Sequence, residues 1–412
     1  MDNRQQGRRQ ALRVLGAGAL AASPVVSVRA QARDEVVLAS VMPLSGFLAQ
    51  VGEELNRGVE LAVDAINAKG LQIGSRTYQV KLRTFDDRSD AVTEARLAER
   101  AATAEKANFL IAGAGGVLAK AVIPVAQRMR IPVMAQWSNL DGVFEAQQGA
   151  PFLFGGMPPF SRAYDSIWEM LARLDKPKVR TVAMISSRDE LGVFFSKKLP
   201  DQLAKAGLQH VHNELFPPGT QDYGSVIERC AQHKPDILLL NCYKPQIIGI
   251  FKHMQAVKYY PPSVIFQGPT RLVESLGSDT SGAFVPSFWA EGGTTYKDPY
   301  IGTSADFTKA YRAKFKNSPP DFIAARGAAN VVTYALVAAR ANTVSDQQAL
   351  LNGFRSFDGE TFFSPVKFDA SGLNTKGEVF ASQFQGGAMQ IVHPDAVKQA
   401  APVHPFPLWK PS

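Results

Sequence analysis

Cysteine is almost absent from this chain of 412 residues, which contains only Cys230 and Cys242. Two cysteines in a chain of this length exclude a disulfide framework, and the sequence leaves open whether this pair is bonded. No stretch reaches the roughly 18 consecutive apolar residues of a membrane-spanning helix. The 33 glycines and 26 prolines follow no period, which excludes collagen-like and low-complexity classes. The 45% hydrophobic and 20% charged residues are typical of a globular protein with two or three domain-sized cores.

Motifs for catalysis and cofactor binding are also missing. The chain lacks the Gly-x-Ser-x-Gly, P-loop, His-Glu-x-x-His and Cys-x-x-Cys patterns. The turn Gly113–Gly116 follows a predicted strand, but the third glycine of a dinucleotide fingerprint would fall on Leu118. We therefore predict no enzymatic activity and no cofactor.

Two pairs of polar side chains have the residue types of a reactive or metal site. His210 and His212 share one face of a predicted strand, as two metal ligands would, but no further Cys or His lies near them. We interpret them as solvated surface residues and predict no metal. Asp86 and Asp87 end a predicted strand, where paired carboxylates most often form turns and cap helices rather than catalyse.

The N-terminal 32 residues have the pattern of an export signal. Five arginines and a single acid, Asp2, accompany an apolar stretch from Val14 to Val28, with small-residue cleavage sites after Ala30 and Ala32. The pair Arg8-Arg9 resembles a twin-arginine signal, although Ala11 stands where that motif has a larger apolar residue. An amphipathic helix of the folded domain is the alternative, but the segment has no acidic face. We predict a periplasmic protein.

The charge that remains after this segment is small. Five of the 45 basic residues and one of the 37 acidic residues lie in it, so the formal net charge falls from +8 to +4 without it. No run of Lys or Arg exceeds two residues. We therefore predict no nucleic-acid partner.

Short β-branched runs alternate with helix-length amphipathic segments, which indicates parallel sheets covered by helices. Four runs precede residue 140 and four lie between 180 and 268, with the turn-rich segment 149–161 between the groups. This spacing predicts two doubly wound lobes. The predicted strands are 36–42, 78–85, 109–112, 133–136, 181–186, 211–216, 237–241 and 264–267.

Helix signals and the C-terminal third complete this pattern. Apolar residues recur at helical spacing from Leu55 to Ile66 before Gly70, and Ser89-Asp90 precede a helical stretch as N-caps do. Further helices are predicted at 304–316, 322–341 and 346–354, and strands at 361–368, 378–384 and 389–393. A small third domain is one interpretation; we favour a region that returns to complete both lobes.

The glycine turn at residues 113–116 has a second physical use. Its backbone N–H groups lie at the start of a predicted helix near Val117, where they can receive a ligand carboxylate. The alternative is a tight strand-to-helix turn that binds nothing.

Several segments together resemble the periplasmic solute-binding proteins of the branched-chain amino acid type, the receptors of ATP-driven importers. The resemblance extends over nearly the whole chain after residue 33, and it rests on the order of its motifs more than on any one of them. The motifs are Pro43-Leu44-Ser45-Gly46, Ala49-Gln50-Val51-Gly52, Ile66-Asn67-Ala68-Lys69-Gly70, the Gly113–Gly116 turn, Ile131-Pro132-Val133, Pro235-Asp236-Ile237, Phe266-Gln267-Gly268-Pro269 and Val366-Lys367-Phe368-Asp369.

The resemblance implies an α/β protein of two doubly wound parallel-sheet lobes joined by a three-crossover hinge, the type I periplasmic binding protein fold. It places the export signal at 1–32, lobe 1 at 33–156 plus 290–365, and lobe 2 at 157–289 plus 366–412. It also implies a monomer that closes on a small carboxylate ligand and delivers it to an ABC permease in the inner membrane.

Carried over position by position, the resemblance implies a ligand site that departs from the amino-acid receptors. Gly116 replaces a serine that holds the ligand carboxylate, and Thr270 stands where a glutamate pairs with the ligand ammonium. Asp189 or Glu190 is an alternative source of that charge. The implied ligand-binding residues are Val51, Gly115, Gly116, Trp137, Ser138, Asn139, Leu191, Tyr243, Thr270 and Arg271.

Without that substitute charge, the pattern favours an organic acid that lacks an amine. Trp137, Tyr243 and Phe322 would then supply aromatic faces, while Arg271 and Arg326 would supply cations. The alternative for the two arginines is surface charge at helix starts. Two other functions stay open: a sensory module that presents its ligand to a membrane receptor, and a hydrolase on a similar scaffold, which would need a nucleophile with a base in reach.

Overall fold

The computed structural model describes residues 34–147, 149, 151–267, 276, 281–316, 320 and 322–406. The predicted export signal at 1–32, and Thr270 and Arg271, lie outside the described residues. The strands, labelled β1 to β17 in chain order, are Asp34–Met42, Leu71–Ile73, Arg76–Asp86, Phe109–Ala114, Val133–Trp137, Leu153–Phe154, Thr181–Ser187, Gln209–Phe216, Ile237–Asn241, Ser263–Phe266, Phe284–Ser287, Lys297–Asp298, Gly302–Thr303, Asp358–Glu360, Pro365–Lys367, Phe380–Gln385 and Ala388–His393. The helices, labelled α1 to α11, are Ala49–Lys69, Ala91–Thr103, Gly116–Met129, Asp141–Glu145, Asp165–Ala172, Glu190–Lys205, Gly224–Gln232, Lys244–Ala256, Ser304–Lys314, Phe322–Ala341 and Gln347–Arg355.

The first lobe is built on a six-stranded sheet with the order β2-β3-β1-β4-β5-β6. Its strands run parallel except for the antiparallel pair β2–β3 at one edge. All six residues of β4 are buried, as expected for a central strand that helices cover on both faces. The continuous apolar runs seen in the sequence are therefore the centre of a parallel sheet.

The second lobe is built on a seven-stranded sheet with the order β17-β16-β11-β10-β9-β7-β8. The five strands β7 to β11 pair in parallel, whereas β16 and β17 add an antiparallel edge. The predicted fold of two doubly wound parallel-sheet lobes is confirmed, and each sheet also has an antiparallel edge. The pairs β2–β3 and β16–β17 are hairpins, whose short connections allow only antiparallel pairing, whereas β16 reaches β11 by a long connection.

The chain passes between the two sheets three times. It leaves the first sheet after β6, returns after β11 to form α9, α10 and α11, and leaves again after β15 to add β16 and β17 to the second sheet. Helix α10 packs on α1 and α11 and against β5. The C-terminal third therefore completes both lobes, while the exact domain boundaries stay a prediction.

Helix α10 is the one helix of the described ranges with the length and apolar content of a membrane span. Most of it is buried inside the first lobe, so it is a core helix. Two glycines bring it close to α1. A Cβ on Gly58 would lie 1.8 Å from the carbonyl oxygen of Ala324, and one on Gly327 would lie 2.3 Å from that of Leu55.

Most predicted elements are confirmed, with shifts of a few residues at their ends. Asp90 caps α2 as expected, because its side chain accepts a hydrogen bond from the Thr93 N–H at 2.8 Å. The predicted strand at 361–368 is wrong in form: the chain makes the short hairpin β14–β15 there. Strand β2 has no counterpart in the prediction, since three residues are too few to show an alternating pattern.

Candidate ligand-binding cleft

A cleft of about 420 Å³ lies between the two lobes. Residues that follow the carboxyl ends of the strands of both sheets line it, which is where open α/β sheets hold ligands. The first lobe contributes residues after β4 and β5, and the second lobe contributes residues after β9, β10 and β11. The aromatic side chains of the lining are Phe47, Trp137, Phe160, Tyr243, Phe288 and Phe322.

The predicted glycine turn lies at this cleft and begins α3. Gly113 and Gly115 adopt positive φ angles of 80° and 100°, a backbone conformation that other residues rarely adopt. The N–H of Gly115 donates to the carbonyl oxygen of Trp137 at 2.8 Å. Helix α3 then starts at Gly116, whose amide is among the first four of the helix and therefore has no partner within it. The carboxylate-binding capacity of the turn rests on Gly116 and Val117 rather than on Gly115.

Asp86 stabilises the loop before α1, which contributes Phe47 and Leu48 to the cleft lining. Its carboxylate accepts hydrogen bonds from the backbone N–H groups of Leu44, Ser45 and Arg88 and from the Ser45 hydroxyl. Burial favours the neutral acid, but these hydrogen bonds outweigh it and lower the pKa of Asp86. The turn-forming role of Asp86 is confirmed.

Asp87 and Glu94 form a buried acid pair behind the glycine turn. Glu94 is fully buried, and its Oε1 accepts a hydrogen bond from the Gly113 N–H at 2.6 Å. Burial raises the pKa of Glu94 well above its ordinary value, and the neighbouring Asp87 raises it further. Burial also raises the pKa of Asp87, so the neutral form is favoured at both acids.

Six of the predicted ligand-binding residues line the cleft. They are Gly115, Gly116, Trp137, Asn139, Leu191 and Tyr243.

Val51 and Ser138 do not line it. Val51 packs into an apolar cluster that includes Leu55 and Ile323. Ser138 is buried, and its hydroxyl has no hydrogen-bond partner.

Both interpretations of Arg326 are wrong. The side chain is 2% exposed, lines no part of the cleft and is not a surface charge. Its guanidinium lies against Gly156 and 5.8 Å from the centre of the Phe363 ring, and burial lowers its pKa to about 9. The other arginine of that prediction, Arg271, lies outside the described residues.

Asp189 does not supply a charge to the cleft. Its carboxylate accepts a hydrogen bond from the Gly192 N–H at 3.0 Å and thereby caps α6. Asp189 is not a lining residue. The side chain of Glu190 lies outside the described part of the structure.

The sequence prediction missed Phe47, Phe160, Phe288 and Gln267, and it named Lys244 only as a neighbour of Tyr243. Phe47 immediately follows the Pro43–Gly46 motif and Phe288 immediately follows β11. Both positions lie just beyond strand or motif ends, which is the signal that would have found them.

The cysteines and histidines carry no site among the described residues. Cys230 and Cys242 are free thiols in the core of the second lobe, and burial raises the pKa of Cys230 to about 12. His212 is partly buried, so its interpretation as a solvated residue is wrong; it stacks on His233 with 4.5 Å between ring centroids. Across the described ranges, no group of three or more His, Cys, Asp or Glu side chains has the arrangement of a metal site.

Comparison with known proteins relates the chain to a family. The family model described as periplasmic binding protein matches residues 35–388. A curated relative, Leu/Ile/Val-binding protein homolog 7 from Brucella melitensis, is 24% identical over 397 residues, which are 92% of this chain and 96% of the relative.

Two solved structures share the fold. The branched-chain amino acid substrate-binding protein LivJ from Streptococcus pneumoniae, in complex with isoleucine, superposes with a TM-score of 0.71 at 20% identity, covering 88% of this chain and 100% of that one. A solute-binding protein of an ABC transporter from R. palustris, in complex with benzoate, also gives 0.71, at 18% identity, covering 89% and 98%. Members of such families bind solutes outside the cytoplasm and are not enzymes. From the match along most of its length, this chain belongs to the periplasmic binding protein family.

Proposed function

We propose that this protein is the periplasmic receptor of an ABC importer and that it binds a small organic carboxylate without an ammonium group. The observation that carries the proposal is the chemistry of the cleft lining. The amides at the start of α3 can bind a negative group, the Lys244 ammonium adds positive potential to the cleft as a whole, and aromatic rings form the walls. No Asp or Glu is found among the described residues that line the cleft.

The absence of an acid from that part of the lining decides between two classes of ligand. A buried ammonium without a carboxylate partner costs on the order of 3 to 5 kcal/mol. That cost corresponds to a loss of affinity of at least about a hundredfold. A carboxylate whose remaining surface is apolar incurs no such cost in the same cleft.

An amino acid is the second candidate, because a similar receptor structure holds isoleucine and the curated relative is called a Leu/Ile/Val-binding protein. The receptor structure in complex with benzoate supports the first candidate, since the same fold there accommodates an acid with no amine. The composition of the described lining favours the benzoate type of ligand for this chain.

The proposal also includes export of the chain, closure of its two lobes and delivery of the ligand to the permease. The signal at 1–32 exports the chain, with Arg8-Arg9 directing it to the twin-arginine route. Lobe 1 (33–156 plus 290–365) and lobe 2 (157–289 plus 366–412) close on the ligand, and the closed monomer docks on the permease of the inner membrane. No cofactor, metal or catalytic step takes part.

Matched pairs of acids test the proposal. Thermal shift and calorimetry on residues 33–412 compare phenylalanine with 3-phenylpropanoate and leucine with 4-methylpentanoate, which differ only in the amine. A ligand at 100 times its Kd adds about 2.7 kcal/mol to the free energy of unfolding. We expect stabilisation only by the amine-free member, recovered unchanged by mass spectrometry. Stabilisation by the amino acid alone would overturn the assignment of ligand class, and chemical conversion of the ligand would overturn the receptor role.

A further inference from the structure

Two polar side chains, those of Lys244 and Gln267, lie on the second-lobe wall of the cleft. Lys244 begins α8 three residues after the end of β9 at Asn241, and Gln267 immediately follows β10, the neighbouring strand. The two strands are in register, with Phe266 opposite Leu240, and the Gln267 N–H donates to the Leu240 carbonyl oxygen at 3.3 Å. Both side chains line the cleft. Two adjacent strands of the sheet therefore lead to an ammonium and an amide that line the same cleft.

Neither of these groups has a hydrogen-bond or ion-pair partner among the residues that the structure describes. The Oε1 atom of Gln267 is buried and accepts no hydrogen bond. Lys244 is partly buried and forms no ion pair with any residue in the described ranges. Buried polar atoms are almost always hydrogen-bonded in native proteins, so each unpaired one calls for an explanation.

Other polar side chains of the cleft are engaged by the protein itself. The Ser89 hydroxyl donates to the Ser45 carbonyl oxygen at 2.8 Å and accepts from the Leu48 N–H at 3.0 Å. The Asn139 amide donates to the Pro158 carbonyl oxygen at 2.7 Å. Lys244 and Gln267 are thus distinguished by offering a donor and an acceptor to whatever fills the cleft.

We propose that Lys244 and Gln267 form a second polar subsite, which binds a hydroxyl group at the end of the ligand remote from its carboxylate. A hydroxyl both donates and accepts, so it can accept from the Lys244 ammonium and donate to Gln267 Oε1 at once. A second carboxylate has no hydrogen to donate to Gln267 Oε1 and could pair with this side chain only through the amide NH2 group. An ammonium only donates and would be repelled by Lys244.

The subsite narrows the ligand class to hydroxylated organic acids, and it rests on the function proposed above. The carboxylate lies at the start of α3 on the first lobe, the apolar body lies between the aromatic walls, and the hydroxyl reaches the second lobe. Such a ligand bonds to both lobes at once. An acid without the hydroxyl leaves the second-lobe groups unpaired when the cleft closes, which penalises its binding.

Calorimetry on residues 33–412 with matched acids measures the preference directly. The pairs are benzoate and 4-hydroxybenzoate, phenylacetate and 4-hydroxyphenylacetate, and hexanoate and 6-hydroxyhexanoate. We expect the hydroxylated member of the best-fitting pair to bind at least about tenfold more tightly, as hydrogen bonds to a charged group provide. In Lys244→Met and Gln267→Leu, this ratio is expected to fall towards one.

Matched controls separate the subsite from general effects. Lys252→Met and Gln255→Leu make the same changes at exposed positions of α8 and are expected to keep the ratio of the unsubstituted protein. The proposal is overturned if hydroxylated and parent acids bind equally, if terephthalate binds more tightly than 4-hydroxybenzoate, or if both cleft variants weaken each pair with the ratio unchanged. Failure of every acid to bind would instead overturn the proposed function, so the two failures are distinct.

Discussion

The ring of Phe47 meets the ring of Tyr243 edge to face, with 6.0 Å between their centroids. Phe47 lies on the loop before α1 in the first lobe, and Tyr243 precedes α8 in the second lobe. Both rings line the cleft, and both remain exposed, at 75% and 41%. This pair therefore joins the two lobes at the mouth of the cleft.

Removal of one ring of this pair is expected to weaken ligand binding. An aromatic pair of this geometry contributes roughly 0.5 to 1.5 kcal/mol beyond its buried area. In Phe47→Ala the closed form loses that contribution, and we expect a Kd several-fold larger by calorimetry. The melting temperature without ligand should hardly change, because Phe47 is mostly exposed. Val257→Ala, an exposed position just past the end of α8, serves as the control and should bind normally.

Gly115 is expected to tolerate no side chain, for reasons of backbone conformation and not of space. A Cβ there would meet only Leu48, at 3.7 Å, but the φ of 100° with ψ of 164° is essentially restricted to glycine. Gly115→Ala should lower the free energy of unfolding by about 1 to 3 kcal/mol and weaken carboxylate binding, as measured by urea denaturation and calorimetry. Gly142→Ala, with no atom within 4 Å and no positive φ, should do neither.

The acid pair of Asp87 and Glu94 predicts a pH dependence of stability. Because burial raises the pKa of Glu94, the folded protein favours the neutral acid. The stability contributed by that acid is complete below its unfolded pKa of about 4.3 and is lost as pH rises from there through the raised folded pKa. The raised pKa of Asp87 acts with the same sign.

An amide at position 94 should remove this dependence. In Glu94→Gln, the side chain can accept from the Gly113 N–H and donate to Asp87 at every pH. The unfolding free energies of Glu94→Gln and of the natural protein, measured between pH 4.5 and 9, should differ increasingly as pH rises. The variant should become the more stable of the two relative to their difference at pH 4.5. Glu99→Gln, an exposed position on α2, should follow the natural protein. Parallel profiles for all three proteins would contradict the raised pKa of Glu94.

The contact between α1 and α10 predicts a large effect of one methyl group. A Cβ on Gly58 would lie 1.8 Å from the Ala324 carbonyl oxygen, so Gly58→Ala must push the helices apart. We expect a loss of about 1 to 3 kcal/mol or more of unfolding free energy. Gly219→Ala, where a Cβ meets no atom within 4 Å, is the matched control.

The fold was predictable because periodicity is local. Runs such as Ile237–Asn241 are strongly apolar and end where parallel strands end, so their alternation with helices is enough to predict the two sheets. The antiparallel edge strands were harder, because the partner of β16 depends on long-range topology that no local pattern encodes.

The site was predictable only in part, because lining a cleft depends on loop geometry. Trp137 is the last residue of β5 and Tyr243 lies two residues after the end of β9, and the structure places both at the cleft. Arg326 shows the opposite case: its place near the start of a helix predicts an accessible charge, yet the packing of α10 in the first lobe buries it. Burial is a property of the assembled lobes and leaves no mark on the local sequence.

The two free cysteines make the protein suited to site-specific labelling. Only thiolates react readily with alkylating reagents, and the buried thiols of Cys230 and Cys242 have raised pKa values. A cysteine introduced at an exposed position, such as the 77% exposed Val92, would be the preferred site of modification with both native cysteines in place. A fluorophore attached there could report on solute capture, which would turn the receptor into an optical sensor for its own ligand.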